Sequence, residues 1–459
     1  MLLYMQYMLN EKKGGRILYR RKRKRKNGRY GMIILCIVFV LAGIKMLLFK
    51  DTETLQTVKE SDLDELISTE KISTEKNEKT EGINDIRVLI MGNGYHGEVH
   101  PKVILSSNSE MCLLYGKEQE YIEAGENVEI VPDDERLQNG GIRISSDKKI
   151  SIRSLERSQG VPAYEGIIEL RNTAEGIVII NELSVEKYLK AVVPSEMPAS
   201  YELEALKAQA VCARSYAYQQ MEKYGYPEYE AHVNDSTDYQ LYGNVKNHEK
   251  TNQAISETKG QVVYYHDEIA TTYYYSTSCG ETTDIRAWGT KKSSKNKYLK
   301  SVKVKGKNGD YEKNLPWYRW TVKVPVEILS DLISLNTGKD IGMLKKIEIT
   351  KRGAGDVAIE MVATGEKGKV VVKTENKIRA ALGGGSYEIV LNDGSLTGSK
   401  ELLPSAFFTI KKEKGFFVIE GGGFGHGIGM SQNGANEMAK EGADYKEILE
   451  LFYDNIAIH

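Results

Sequence analysis

From Ile86 onward the chain is a succession of short runs in which apolar residues alternate or cluster: "IRVLIMG", "KVILSS", "NVEIVP" and "IRISS", parted by Gly, Asn and Asp. Such runs between turn residues predict strands, and "YEGIIELRNTAEGIVIIN" extends the β pattern to Asn181. From about Ser184 to Lys223 the period changes. Leu203, Leu206, Ala210, Ala213 and Ala217 recur at alternating three- and four-residue spacing, which predicts a helix with that stripe against the core. Strand patterns return in "GQVVYYHDEIATTYYYSTS", "YRWTVKVP", "KKIEITKRG", "VAIEMVAT" and "FFTIKKEKGFFVIEGGG". The end is helical again, with "SQNGANEMAKEG" closed by Gly442 and then "YKEILELFYDN". Strand runs interrupted by helices predict an α+β fold, a β-rich body with segregated helices.

One apolar run breaks this pattern. "MIILCIVFVLAGIKMLLF", Met32–Phe49, is 18 residues long with Lys45 its only charge. At ~1.5 Å per residue it reaches ~27 Å, the short end of what a bilayer core needs. It is long for a signal peptide, and no small-residue cleavage pattern follows it. The preceding "KKGGRILYRRKRKRKNGR" holds 11 Lys or Arg. The positive-inside rule therefore predicts a cytoplasmic tail at 1–31, one transmembrane helix at 32–49 and an extracytoplasmic remainder. Residues 50–85 are polar, with "ISTEK" in tandem at 67–71 and 72–76, and read as a flexible linker. The β-rich N-terminal part of the body follows at 86–160, and its remainder at 161–459.

Charge narrows the partners. The whole chain carries −1, but beyond residue 50 the balance is about −13. That disfavours attraction to a polyanion, so no nucleic-acid partner is expected. Cys36 falls in the apolar run; Cys112, Cys212 and Cys279 are too widely spaced for a disulfide framework or a metal pattern.

The candidate chemistry begins at "VVPSEMPASYELEALKAQAVCARSYAYQQ", Val192–Gln220. Glu196 stands between Pro194 and Pro198. Pro194 is expected to stop the helix arriving from "VEKYLKAV", and Ser200 to cap the next one near Tyr201. An apolar corner raises a carboxyl pKa by desolvation, as a general acid needs; a helix N-terminus or an Arg pulls the other way. An ordinary solvated or capping acid is the plain alternative. On the helix itself Lys207, Val211, Arg214 and Tyr218 share one row. Further on, "GGGFGHGIGMSQNGA" misses the G-x-G-x-x-G spacing of a nucleotide loop. It predicts a strand, a tight glycine turn exposing His426, and a helix from about Met430. Cys279 in "STSCGETTD" has no evident base and reads as a small side chain at a strand end. The 28 tyrosines against 8 phenylalanines suit wet β surfaces and sugar stacking alike.

The words "AVVPSEMP", "LEALKAQAVCARSYA", "YYYSTSCGETTD", "NKIRAALGG" and "GGGFGHGIGMSQNGANEMAKEG", in this order, resemble the SpoIID/LytB family of peptidoglycan remodelling proteins. The resemblance covers Ile86 to the C-terminus and implies a catalytic domain at 161–459. It implies a lytic transglycosylase in which Glu196 is the acid/base. The substrate would be glycan strands already stripped of stem peptides, cut between N-acetylmuramic acid and N-acetylglucosamine, as in sporulation engulfment. It implies a role for Arg214, taken as substrate positioning together with Lys207 and Tyr218. It also implies that the glycine loop, with His426, Ser431 and Gln432, borders the cleft. A partner amidase and a membrane protein that localises the complex are further implications. Family members that bind zinc carry Cys and His where this chain has "AHVNDSTDYQLYGN"; Asn234, Asp238 and Tyr239 stand where ligands would fall. His232 and Asp235 alone are a poor tetrahedral set, so no metal or other cofactor is expected. The rival readings are a non-catalytic activator of a wall amidase, an ordinary hydrolase, and a scaffold linking membrane to wall.

Overall fold

A computed structural model describes residues 85–459 apart from 139, 244 and 246. The expected cytoplasmic tail, transmembrane helix and linker lie outside the described residues. Among the described residues no helix is long and apolar enough to cross a membrane. The expected α+β, β-rich architecture is observed.

The first half is built on a seven-stranded sheet. Its order is Val233–Asn234, Asp85–Leu89, Gly176–Ser184, Ile167–Thr173, Ile142–Ser146, Met111–Tyr115 and Glu118–Ile122. All neighbours are antiparallel except Val233–Asn234, which runs parallel to Asp85–Leu89. The sheet takes strands from both sides of residue 160, so the 86–160 and 161–459 pieces share it. Gly176–Ser184 is buried along nearly its whole length, as an apolar run covered on both faces must be.

Helices α1 (Val185–Glu196), α2 (Leu203–Met221) and α3 (Glu249–Glu257) follow. Two expectations fail here. The α1 helix runs through Pro194 and ends two residues later. A proline in the last turn forfeits one backbone bond, and Val185, Tyr188, Leu189, Val192 and Val193 bury one face of α1 in return. It is Pro198 that ends it, by holding Met197 extended at φ −130°. Nor does Ser200 cap α2: the cap position is Glu202, with no side-chain bond. The α2 helix is buried almost all round between Ala205 and Ser215. Its many alanines let α1, α3 and the C-terminal helices pack close on every side.

The second half holds a five-stranded sheet, ordered Leu396–Gly398, Glu388–Leu391, Trp320–Pro325, Phe416–Gly421 and Phe408–Glu413. Beside it lies a three-stranded sheet of Leu344–Arg352, Ala358–Gly365 and Gly368–Lys373. Helices α4 (Val326–Thr337) and α5 (Glu375–Leu382) accompany them, and α6 (Gln432–Lys440) and α7 (Tyr445–Phe452) close the chain. A short parallel pairing of Tyr274–Tyr275 with Met430–Ser431 carries the glycine-rich segment toward the end of α1.

Candidate active site around Glu196

Glu196 is the last residue of α1. Its Oε1 accepts the backbone N–H of Leu241 at 2.8 Å. Its main-chain carbonyl accepts from Gln432 Nε2 at 3.2 Å, and the same amide donates to Gln209 Oε1 at 3.3 Å. Backbone and carboxyl are thus held by two residues far apart in the sequence, Gln432 and Leu241. Among the described residues Oε2 has no hydrogen-bond partner. Burial pushes the carboxyl pKa above the ordinary 4.5, with the Leu241 N–H pulling against it. Gln240 completes the floor: Tyr188 Oη donates to its Oε1 at 3.4 Å, and its amide donates to Tyr274 Oη at 3.1 Å and Ala213 O at 3.3 Å. An acid so fixed can deliver a proton through its second oxygen and take one back.

The Val233–Tyr242 segment supplies that floor because its base is locked. Asp235 is fully buried; Oδ1 accepts from Met91 N at 2.9 Å and Oδ2 from Arg157 Nη2 at 2.8 Å. Desolvation raises the Asp235 pKa, with the Arg157 charge opposing it. His232 Nδ1 accepts from Arg87 N at 3.0 Å, and its ring stacks on Tyr224. Asn234 is engaged by Tyr226 and Ser236. These side chains are committed to the fold and do not fit a zinc site. No cluster of three or more potential metal ligands exists among the described residues.

The glycine loop is tight because the backbone leaves no room. Gly429 sits at φ +74°, where a Cβ would lie 2.0 Å from Tyr273 O. His426 is half-buried rather than exposed. Its Nδ1 accepts from Ile428 N at 3.1 Å, so the proton sits on Nε2, which faces Tyr274 O at 3.0 Å. Burial, reinforced by the Arg379 charge, drives its pKa down to about 3. It is a neutral brace, with no nitrogen left for substrate. The following helix starts at Gln432, with Ser431 as its cap. Ser431 is fully buried and donates to Glu312 Oε1 at 2.7 Å. Glu312 also accepts from Ser278 N at 2.9 Å and from Ser278 Oγ. Desolvation raises Glu312 to about pKa 7. Nothing in its local sequence, "GDYEKN", marks this buried acid.

Arg214 lies elsewhere. It is 0% exposed, paired with Glu186 at 2.7 and 2.9 Å, and donates to Gln261 O and Ile255 O. Lys207 bridges Glu204 at 2.8 Å and Glu257 at 2.7 Å. Tyr218 is half-buried beside Glu186 and Arg214. The three do share a face of α2, but it forms an ion-paired seam with α1 and α3. Of the expected substrate-binding residues, only Gln432 touches Glu196, and through the backbone.

Aromatic rings gather near the acid instead. The Glu196 charge raises the pKa of Tyr216 and Tyr274, in each case behind desolvation. From Tyr216 a half-buried series continues through Tyr273 at 6.2 Å, Trp288 at 4.8 Å and His426 at 5.0 Å between ring centroids. Such rings suit the faces of sugars. The sequence is too rich in tyrosine for these to stand out.

Two family models match. One, described as "Stage II sporulation protein" (SpoIID), covers residues 173–265, the segment holding Glu196, Gln240 and Leu241. The other, "Domain of unknown function (DUF8618)", covers 272–429. Stage II sporulation protein D of Bacillus amyloliquefaciens is 30% identical over 295 residues, 61% of this chain and 75% of that one. The protein of the same name from Bacillus subtilis (strain 168) is 29% identical over 320 residues, 65% of this chain and 82% of that one. The "Amidase enhancer" of Bacillus subtilis (strain 168) is 30% identical over 293 residues, 58% of this chain but only 39% of that longer one. With the SpoIID model centred on the Glu196 floor and relatives aligned over most of their length, the chain belongs to the SpoIID family.

Proposed function

We propose that the protein is a membrane-anchored lytic transglycosylase that acts outside the cytoplasm during sporulation, on peptidoglycan glycan strands stripped of stem peptides. The observation that carries the reading is the Glu196 carboxyl, desolvated, held at one oxygen by Leu241 N and, among the described residues, without a hydrogen-bond partner at the other. Protonated Glu196 gives its proton to the glycosidic oxygen as the C1–O bond breaks, leaving an oxocarbenium-like centre on N-acetylmuramic acid. The resulting carboxylate then takes the proton of that sugar's C6 hydroxyl, whose oxygen bonds C1 to close a 1,6-anhydro ring. The proton returns to Glu196, no water is consumed, and no second carboxylate or metal is required. The ring series from Tyr216 to Trp288 suits the strand's pyranose faces.

The relative named as an amidase enhancer supports a second reading, a non-catalytic protein that binds wall glycan and activates a partner amidase. Incubating the protein with peptide-free glycan strands and weighing the products decides between them. Anhydro ends that vanish with Glu196→Gln support the enzyme. Products heavier by one water indicate a hydrolase. Intact strands, with a partner amidase stimulated equally by both forms, indicate the activator.

A further inference from the structure

A cavity of about 500 Å³ opens at the end of the five-stranded sheet, and Glu196 is not among its lining residues. Its walls come from Arg319, the Thr321–Glu420–Thr409 row across three adjacent strands, Phe407, Cys279 and the Gly355–Asp356 turn. That volume is within the usual range for a small-ligand site. The turn is fixed in place: Gly355 sits at φ +67°, and a Cβ there would meet Thr282 O at 2.3 Å.

Arg319 is the polar anchor. Its guanidinium stacks on the Tyr318 ring at 3.9 Å and donates to Cys279 O at 3.0 Å and Tyr318 O at 2.7 Å. Those bonds go to neutral oxygens. Its Nη2 also donates to Tyr318 Oη at 3.2 Å, which donates in turn to Asp310. Among the described residues a carboxylate thus reaches the guanidinium only through that hydroxyl, and Arg319 lines the opening without a direct ion pair. The Cys279 thiol beside it is no rival anion, since burial pushes its pKa up to about 11. Across the cavity Glu420 and Asp356 are exposed acceptors, Thr321 and Thr409 offer hydroxyls, and Phe407 gives a half-buried ring. The set fits a ligand with one carboxylate, several hydroxyl or amide donors and a flat apolar face. A pyranose bearing an acidic substituent has that chemistry.

The geometry points to a second carbohydrate site, apart from Glu196, that takes a muramic-acid residue by its lactyl carboxylate. This rests on the glycan-cleaving reading above and deepens it. Removing a stem peptide turns the lactyl amide into a free carboxylate. A site that pairs that carboxylate with Arg319 distinguishes stripped strands from peptide-bearing ones.

The test uses full-length protein carrying Glu196→Gln, which holds strands without cutting them, with and without Arg319→Gln. Arg319 is exposed, so its replacement leaves the fold intact. Binding is measured to peptide-free strands, to the same strands with methyl-esterified lactyl groups, and to N-acetylglucosamine oligomers, which have no lactyl group. The expected result is about tenfold tighter binding to the free acid than to the ester. Arg319→Gln should erase that preference and leave oligomer binding unchanged. Equal affinity for acid and ester, or a preference that survives Arg319→Gln, overturns the site. Cleavage by the wild-type protein is scored separately: a lost preference with anhydro products still formed condemns the second site alone. An Arg319-dependent preference without cleavage condemns the enzymatic reading alone.

Discussion

The backbone N–H of Leu241 donates to Glu196 Oε1 across 45 residues of sequence, at 2.8 Å. One oxygen of the acid is thereby fixed while desolvation raises its pKa. An apolar corner alone would raise the pKa without aiming the group; a single N–H gives direction while lowering the pKa only in part.

The first consequence is a displaced pH profile. Glu196 must be protonated to begin the reaction, so cleavage falls as pH rises through its folded-state pKa. That pKa is raised, so the alkaline limb of kcat/KM should lie above the 4.5 of an ordinary glutamate. Rates on peptide-free strands between pH 4 and 9 check this. A rate already lost on rising through an unshifted carboxylate pKa would contradict it.

Arg214 should govern stability rather than chemistry. Replacing it with Gln breaks the Glu186 pair and strands the Gln261 and Ile255 carbonyls, at a cost of about 3 kcal/mol. Thermal unfolding should shift down by several degrees, with activity per folded molecule retained at low temperature. An Arg214→Gln protein as stable as the parent but inactive would return Arg214 to the site.

Glu312 should make stability fall with rising pH. Its pKa is raised from 4.5 unfolded to about 7 folded. The folded state therefore holds its proton where the unfolded state has lost it. The stabilisation is full below about pH 4.5 and is lost as pH climbs to about 7, on the order of 3 kcal/mol in all. Comparing denaturant midpoints at pH 5 and pH 8 for the parent and Glu312→Gln isolates this share. The Gln variant should show a smaller drop; identical drops would contradict the assignment.

His426 should stay neutral throughout the working range, because both ring nitrogens are engaged and its pKa is near 3. Its ring proton shifts should be flat from pH 8 to pH 5. A titration midpoint near 6.5 would mean the ring is open to solvent.

Much of the architecture could be read from local pattern. The strand runs and the α+β arrangement follow from alternation and spacing. The acid of "SEMP" stands out only through the resemblance to the SpoIID/LytB family, since the two prolines fit an ordinary acid equally well. What escaped was long-range. Pro194 stays helical because burial of Val192 and Val193 outweighs one missing bond, a balance invisible to local rules. Spacing alone puts Lys207, Arg214 and Tyr218 on one face of α2, but only the packing of α1 and α3 tells which way that face looks. Glu312 and the Leu241 N–H carry no signature at all: a buried acid among polar neighbours and a main-chain donor are ordinary until the fold brings them to their partners.

The most direct measurement is the mass of products released from peptide-free glycan strands by the parent protein and by Glu196→Gln. The substituted amide still accepts from Leu241 N, so the variant should unfold at nearly the parent temperature. The account predicts 1,6-anhydro ends from the parent and a loss of at least about a hundredfold in the variant. Anhydro ends formed equally by both, from equally folded protein, would contradict it.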